Sequence, residues 1–134
     1  MADGNQGVID EFRANSGQVA AFKGRTLLLL HTTGAKSGQP RVTPVVYQSV
    51  EGGYAIFASK AGAPTNPAWY HNLRAHPDTT IEVGTETLPV HARVAEGEER
   101  ERIWEAQKRV NPNFAEYEQK TSRTIPVVIL EPTG

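Results

Sequence analysis

The chain has 134 residues, enough for one domain with a single core, and its 14 basic and 15 acidic side chains leave a net charge of −1. So even a balance creates no field that would steer the molecule to nucleic acid or to an anionic membrane, and no nucleic-acid partner is expected. With no cysteine there is neither a disulfide framework nor a thiolate metal site, and His31, His71, His76 and His91 show no metal-ligand spacing, so no metal is expected.

Residues 1–24 read as a polar lead-in. Met1 to Gly7 lacks the basic and apolar regions of a secretory signal, and no apolar run approaches the ~18 residues of a membrane span, so a cytoplasmic protein is expected. Val8, Ile9 and Phe12 predict a short amphipathic helix over 7–15, stopped by Asn15-Ser16-Gly17. The pattern then turns to short β-type runs at 26–32, 42–50, 54–59, 79–83, 87–94 and 125–130, which predict six strands. Glu51-Gly52-Gly53 and Gly84-Thr85 read as tight hairpin connections and make the sheet mostly antiparallel. Helices are predicted over 67–75, with Asn66 as N-cap, over 98–110, and over 113–121 after Asn111-Pro112. Mainly β with helices outside, the chain is expected to form a small antiparallel barrel, closed or nearly so, over 25–132.

Two loops carry the chemistry. The apolar run Leu27 to Leu30 empties into His31-Thr32-Thr33-Gly34-Ala35-Lys36-Ser37-Gly38-Gln39-Pro40-Arg41, where backbone N–H groups, hydroxyls and two cations can gather round an anion. The spacing is neither that of a Walker A loop nor Gly-x-Gly-x-x-Gly, and taken alone it reads equally well as an ordinary hairpin turn with a solvated Lys and Arg. The second loop, Ala58-Ser59-Lys60-Ala61-Gly62-Ala63-Pro64, repeats the logic and runs into a helix start at Asn66-Pro67 whose N–H groups are partly positive. Trp69 there can lie against a flat ring or, four residues before Leu73, simply cover the barrel. Asn72 can be a mere loop cap, and His71 and His76 read as surface residues.

Taken together, Thr32-Thr33-Gly34-x-Lys36-Ser37-Gly38-x-Pro40-Arg41, Ser59-Lys60-x-Gly62-Ala63, Asn66-Pro67-x-Trp69-Tyr70-x-Asn72-Leu73 and Thr121-x-Arg123-x-Ile125-Pro126-Val127 resemble the deazaflavin-dependent nitroreductase and quinone reductase family of actinobacteria. The resemblance implies a split β-barrel of the FMN-binding flavoprotein type and coenzyme F-420, an 8-hydroxy-5-deazaflavin with a phosphate and an oligoglutamate tail. It assigns Lys36, Ser37, Arg41 and Lys60 to the phosphate and tail. Gly62, Ala63, Trp69 and Asn72 line the cofactor, Pro44 and Val45 run beneath its ring, and Gly38, Thr43, Ala61 and Pro67 complete the binding set. Ser59 belongs to the binding set as well and matches a position near the reactive face. Ala35 stands where some relatives carry Arg, and Ala61 where many carry Gly. Where nitroimidazole-activating members place a tyrosine cluster over the ring, this chain has Asn111, Phe114 and Tyr117, of which only Tyr117 keeps a hydroxyl.

What the resemblance implies is hydride transfer from the reduced deazaflavin to a quinone, an enone or a nitroaromatic-type acceptor, with Ser59 or Tyr117 donating a hydrogen bond to the developing oxyanion. The alternatives are a carrier that binds the deazaflavin or a lipid without turnover, and an FMN-dependent reductase on the same fold. Monomer and homodimer are both open. Contact with the inner face of the plasma membrane would use Ile9, Phe12 and Phe22, a weaker expectation given Asp10 and Glu11 beside them.

Overall fold

The computed structural model describes residues 6–15, 17, 19, 27–59, 66–121 and 124–133. The lead-in holds α1 (Gln6–Ala14), and the elements β1 (Leu27–Thr33), β2 (Pro40–Val50), β3 (Gly53–Phe57), α2 (Ala68–Ala75), β4 (Asp78–Val83), β5 (Glu86–Val94), α3 (Gly97–Val110), α4 (Asn113–Lys120) and β6 (Val127–Pro132) follow. Every strand pairing is antiparallel, and the order β1-β2-β3-β6-β5-β4 closes into a six-stranded barrel through Leu29 with Glu82 and Leu30 with Ile81. The expected class therefore holds.

Burial explains which runs became strands. In β1 the leucines alternate across the sheet, as strand geometry requires. Leu28 and Leu30 point into the barrel with Ile56, Ile81, Val90, Val128 and Leu130, while Leu27 and Leu29 face outward beneath Ile9, Phe12 and Val19. A strand buried on both faces reads as a continuous apolar run rather than an alternating one. The same holds for β6, whose Val127 and Ile129 meet Trp104 of α3 and Phe114 of α4 on the outer face. Trp104 Nε1 donates to Glu118 Oε2 at 2.7 Å and joins the two helices, and Gln48 Nε2 donates to the Ile103 carbonyl at 3.2 Å, joining α3 to β2.

Differences from the expected elements have local causes. At β6 the strand begins at Val127 rather than 125: the Pro126 carbonyl still accepts from the Ala58 N–H in the β3–β6 register, but proline has no N–H to return, and the Ile125 carbonyl accepts from Arg100 Nη2 instead of from a strand. Pro67, not Asn66, occupies the N-cap of α2, in extended conformation and with no side-chain cap bond. Ile9 and Phe12 are 5% and 1% exposed against the barrel, which corrects their assignment to a bilayer surface. Phe22 lies outside the described residues. No helix among the described residues is long and apolar enough to cross a membrane.

An ion pair fixes α1 to the far strand of the barrel seam. Arg13 Nε and Nη2 donate to the two oxygens of Glu82 at 3.0 and 2.7 Å, and His31 Nε2 sits 2.6 Å from the same carboxylate. The Arg13 hydrogen bonds, aided by His31 and opposed by partial burial, hold the Glu82 carboxyl below its ordinary range. A folded-state value below the unfolded one means the pair stabilises the fold above about pH 4.5, and that this stability drains away as pH falls through the folded value. Because Arg13 is half exposed, Glu82→Gln is expected to cost only about 1 kcal/mol at neutral pH, a Tm loss of roughly 3–5 °C. In thermal unfolding followed by circular dichroism, the gap between the two proteins should close on acidification; a gap that stays constant would remove the ion pair from the account.

Candidate functional site

Six residues, 34–39, separate β1 from β2, since Thr33 and Pro40 are the last pair. The Gly34 N–H donates to the Gln39 carbonyl at 2.9 Å, and the Gly38 N–H to the Gly34 carbonyl at 2.9 Å, so the loop closes on itself. Two glycines make this closure sterically feasible. At Gly34 a Cβ would collide with Ser37 Oγ, and Gly38 has φ +70°, in the left-handed region that glycine occupies without strain. Ser37 Oγ accepts from the Gln39 N–H at 3.2 Å and braces the turn. Among the described residues, the N–H groups of Lys36 and Ser37 have no acceptor and lie exposed at the tip.

Helix α2 faces this loop. It lies across one mouth of the barrel, with Trp69, Tyr70 and Leu73 buried in the interior cluster. Between it and the loop runs a groove of about 620 Å³. The loop side contributes Gly34, Ala35, Lys36 and Ser37, β2 contributes Arg41, Val42 and Thr43, and α2 contributes Ala68, Trp69, His71 and Asn72. Among the described residues no carboxylate lines it. Lys36 and Arg41 are exposed and neither makes an ion pair among those residues, a state they share with Arg74, Arg102, Arg109 and Lys120, but only Lys36 and Arg41 stand on the groove. Two cations beside exposed loop N–H groups, on a wall whose described residues include no acid, suit a phosphate or a carboxylate chain.

The expected site residues thus divide. Lys36, Ser37, Arg41, Thr43, Trp69 and Asn72 come together on the groove, with Gly38 in the same loop. Pro67 is buried at the helix start, and Pro44 and Val45 continue β2 away from the groove, Val45 packing toward the barrel interior. Ser59 is 8% exposed just past the end of β3. It is not on the groove lining among the described residues. Lys60, Ala61, Gly62 and Ala63 lie outside the described residues. Tyr117 does not reach the groove: it packs edge-on to Phe114 at 5.3 Å, over the outer face of β3 and β6.

Residues 7–132 match the F420H2-dependent quinone reductase family. The chain belongs to that family. An F420H2-dependent quinone reductase of Mycobacterium tuberculosis is 45% identical over 106 residues, spanning 77% of this chain and 71% of the relative. Among solved structures, an F420-H2 dependent reductase, FDR-A, superposes with a TM-score of 0.72 at 45% identity, covering 80% of this chain and 95% of its own. A domain-swapped dimer superposes at 0.74 and 40% identity, covering 95% and 94%. HutZ, a heme storage protein of Vibrio cholerae, at 20% identity and a TM-score of 0.63 over 96% and 90% of the two chains, shares the fold alone.

The groove also takes in residues outside the expected set: Gly34 and Ala35 in the loop, Val42 on β2, and Ala68 and His71 on α2, His71 exposed as its surface reading has it. For Ala68 and His71 the signal is their place on α2 beside Trp69 and Asn72; for Val42 it is its position between Arg41 and Thr43. Trp69 has two duties, since it is 7% exposed in the barrel cluster and also lines the groove. Trp69→Ala is therefore expected to cost about 3 kcal/mol of stability in urea unfolding. A variant as stable as the parent would show that Trp69 serves ligand only.

Proposed function

We propose that the groove between the β1–β2 loop and α2 seats the phosphate and acidic tail of reduced coenzyme F-420, and that the protein directs its hydride to a quinone. The observation that carries this reading is the pair of cations, Lys36 and Arg41, set with the N–H groups of Lys36 and Ser37 on a groove that, among the described residues, has no carboxylate and no ion pair to neutralise them. These residues fit a polyanionic cofactor by their donor chemistry, independently of any relative's name. The name of the M. tuberculosis relative supplies the acceptor class.

When bound, the reduced deazaflavin supplies a hydride, two electrons and one proton's worth of hydrogen, to the acceptor. What the chain contributes is placement. Lys36 and Arg41 draw in and hold the anionic end, Ser37 and the loop N–H groups set its orientation, and the buried Trp69 gives α2 a rigid apolar edge against which a flat ring can rest. Ser59, just past the end of β3, is proposed to donate its hydroxyl to the quinone oxygen where negative charge develops, and the proton that completes the quinol comes from solvent. Tyr117, held against Phe114 on the outer face, is assigned no contact with the acceptor.

Fluorescence titration with coenzyme F-420, and with FMN in parallel, tests the reading directly. Lys36→Ala and Arg41→Ala are each expected to weaken F-420 binding about tenfold, equivalent to ~1.4 kcal/mol, with the difference shrinking as salt rises. In turnover with menadione the same variants should raise the KM for the cofactor and leave kcat within about twofold. A preference for FMN, or affinities unmoved by both substitutions, would overturn it. Ser59→Ala is expected to lower kcat by about tenfold or more and leave F-420 affinity unchanged, measured by stopped-flow reduction of menadione.

A further inference from the structure

The side chain of Asn72 is 9% exposed on the inner side of α2, and both ends of its amide are engaged. Its Oδ1 accepts from the Ala35 N–H at 2.9 Å, and its Nδ2 donates to Thr32 Oγ1 at 3.3 Å. The orientation of the amide follows from chemistry alone, because a backbone N–H can only donate and must therefore face the oxygen. One contact lands on the first turn residue of the anion loop and the other on the last buried residue of β1, Thr32, 4% exposed. A single amide thus joins the end of β1 to the start of the turn.

From this geometry we infer that Asn72 is a positioning residue for the loop, holding the peptide of Ala35 so that the next two N–H groups, those of Lys36 and Ser37, point toward the anion rather than toward α2. This inference rests on the cofactor reading above and deepens it. The loop has few other restraints: its two internal backbone bonds join Gly34 to Gln39 and Gly38 to Gly34, and neither fixes the 35–37 turn relative to the helix. Ala35, with no side chain beyond Cβ, has no means of its own to anchor that turn. Without the tether the 35–37 turn would sample several orientations, and an anion would have to select one of them, at a cost in affinity. A ring-lining role for Asn72 makes a different claim, that its amide touches the ligand itself.

The two are separated by comparing coenzyme F-420 with the deazaflavin nucleoside that lacks the phosphate and tail. Asn72→Ala is expected to weaken F-420 about tenfold and to leave the nucleoside within about twofold, because only the anionic end uses the loop. Amide hydrogen exchange by NMR should show the Ala35 N–H losing protection in the same variant. Should Asn72→Ala fold poorly, Thr32→Val, which removes only the Nδ2 acceptor from a buried position of similar volume, is expected to give a smaller loss of two- to threefold on F-420 alone. Equal losses on both ligands, or an Ala35 N–H as protected as in the parent, would overturn the inference. Should the parent protein fail to bind F-420 at all, the cofactor reading falls, while the Ala35 exchange still decides whether the tether exists.

Discussion

The double burial of β1 governs the rest of the molecule. Leu28 and Leu30 complete the barrel interior while Leu27 and Leu29 are sealed by α1, so the strand is fixed in register and depth from both sides. Apolar area of this kind, at roughly 25 cal/mol per Å², outweighs any single polar contact in the structure. Where the leucines stop, burial stops, and the chain must turn in solvent. The anion loop is located there for that reason: its root cannot shift along the sheet without moving four leucines.

Charge is distributed to match. The ion pairs among the described residues lie away from the groove, Arg93 with Glu99 and Glu131, Lys108 with Glu105 and Glu118, Arg13 with Glu82. Around the groove, cations gather on a lining that holds no carboxylate among those residues. A near-neutral chain therefore carries a local excess of positive charge that its total conceals, and a search by net charge alone would pass over it.

Much of this was legible in the residues. Alternation, glycine-bearing turns and the leucine run were enough for six strands and for an antiparallel barrel closed or nearly so, while the loop with Lys36 and Arg41, taken alone, read as an anion site or as a solvated hairpin turn alike. Other features depend on long-range contacts that leave no local trace. Nothing in Asn72 announces that its partners are Thr32 and Ala35, forty and thirty-seven positions away. Phe12 looks like any exposed helical aromatic until Leu27, Leu29 and Val19 close over it. Tyr117 was placed over the ring by likeness to other family members, and here its helix lies on the outer wall with Trp104 and Phe114 instead. Residue type and spacing report the chemistry available; only packing decides which chemistries meet.

Helix α2 belongs at once to the core and to the groove. Its Tyr70 and Leu73 plug the barrel, its Trp69 lines the wall that a ligand would touch, and its Asn72 tethers the loop opposite. Occupancy and folding are thereby linked by mass action, because an unfolded chain has no such wall to offer. A ligand at a hundred times its dissociation constant adds about 2.7 kcal/mol to the native state of any protein built this way. In a cell where the deazaflavin is abundant, the barrel would be sturdier than the isolated protein in a test tube, and its turnover by proteases would follow the supply of its own cofactor.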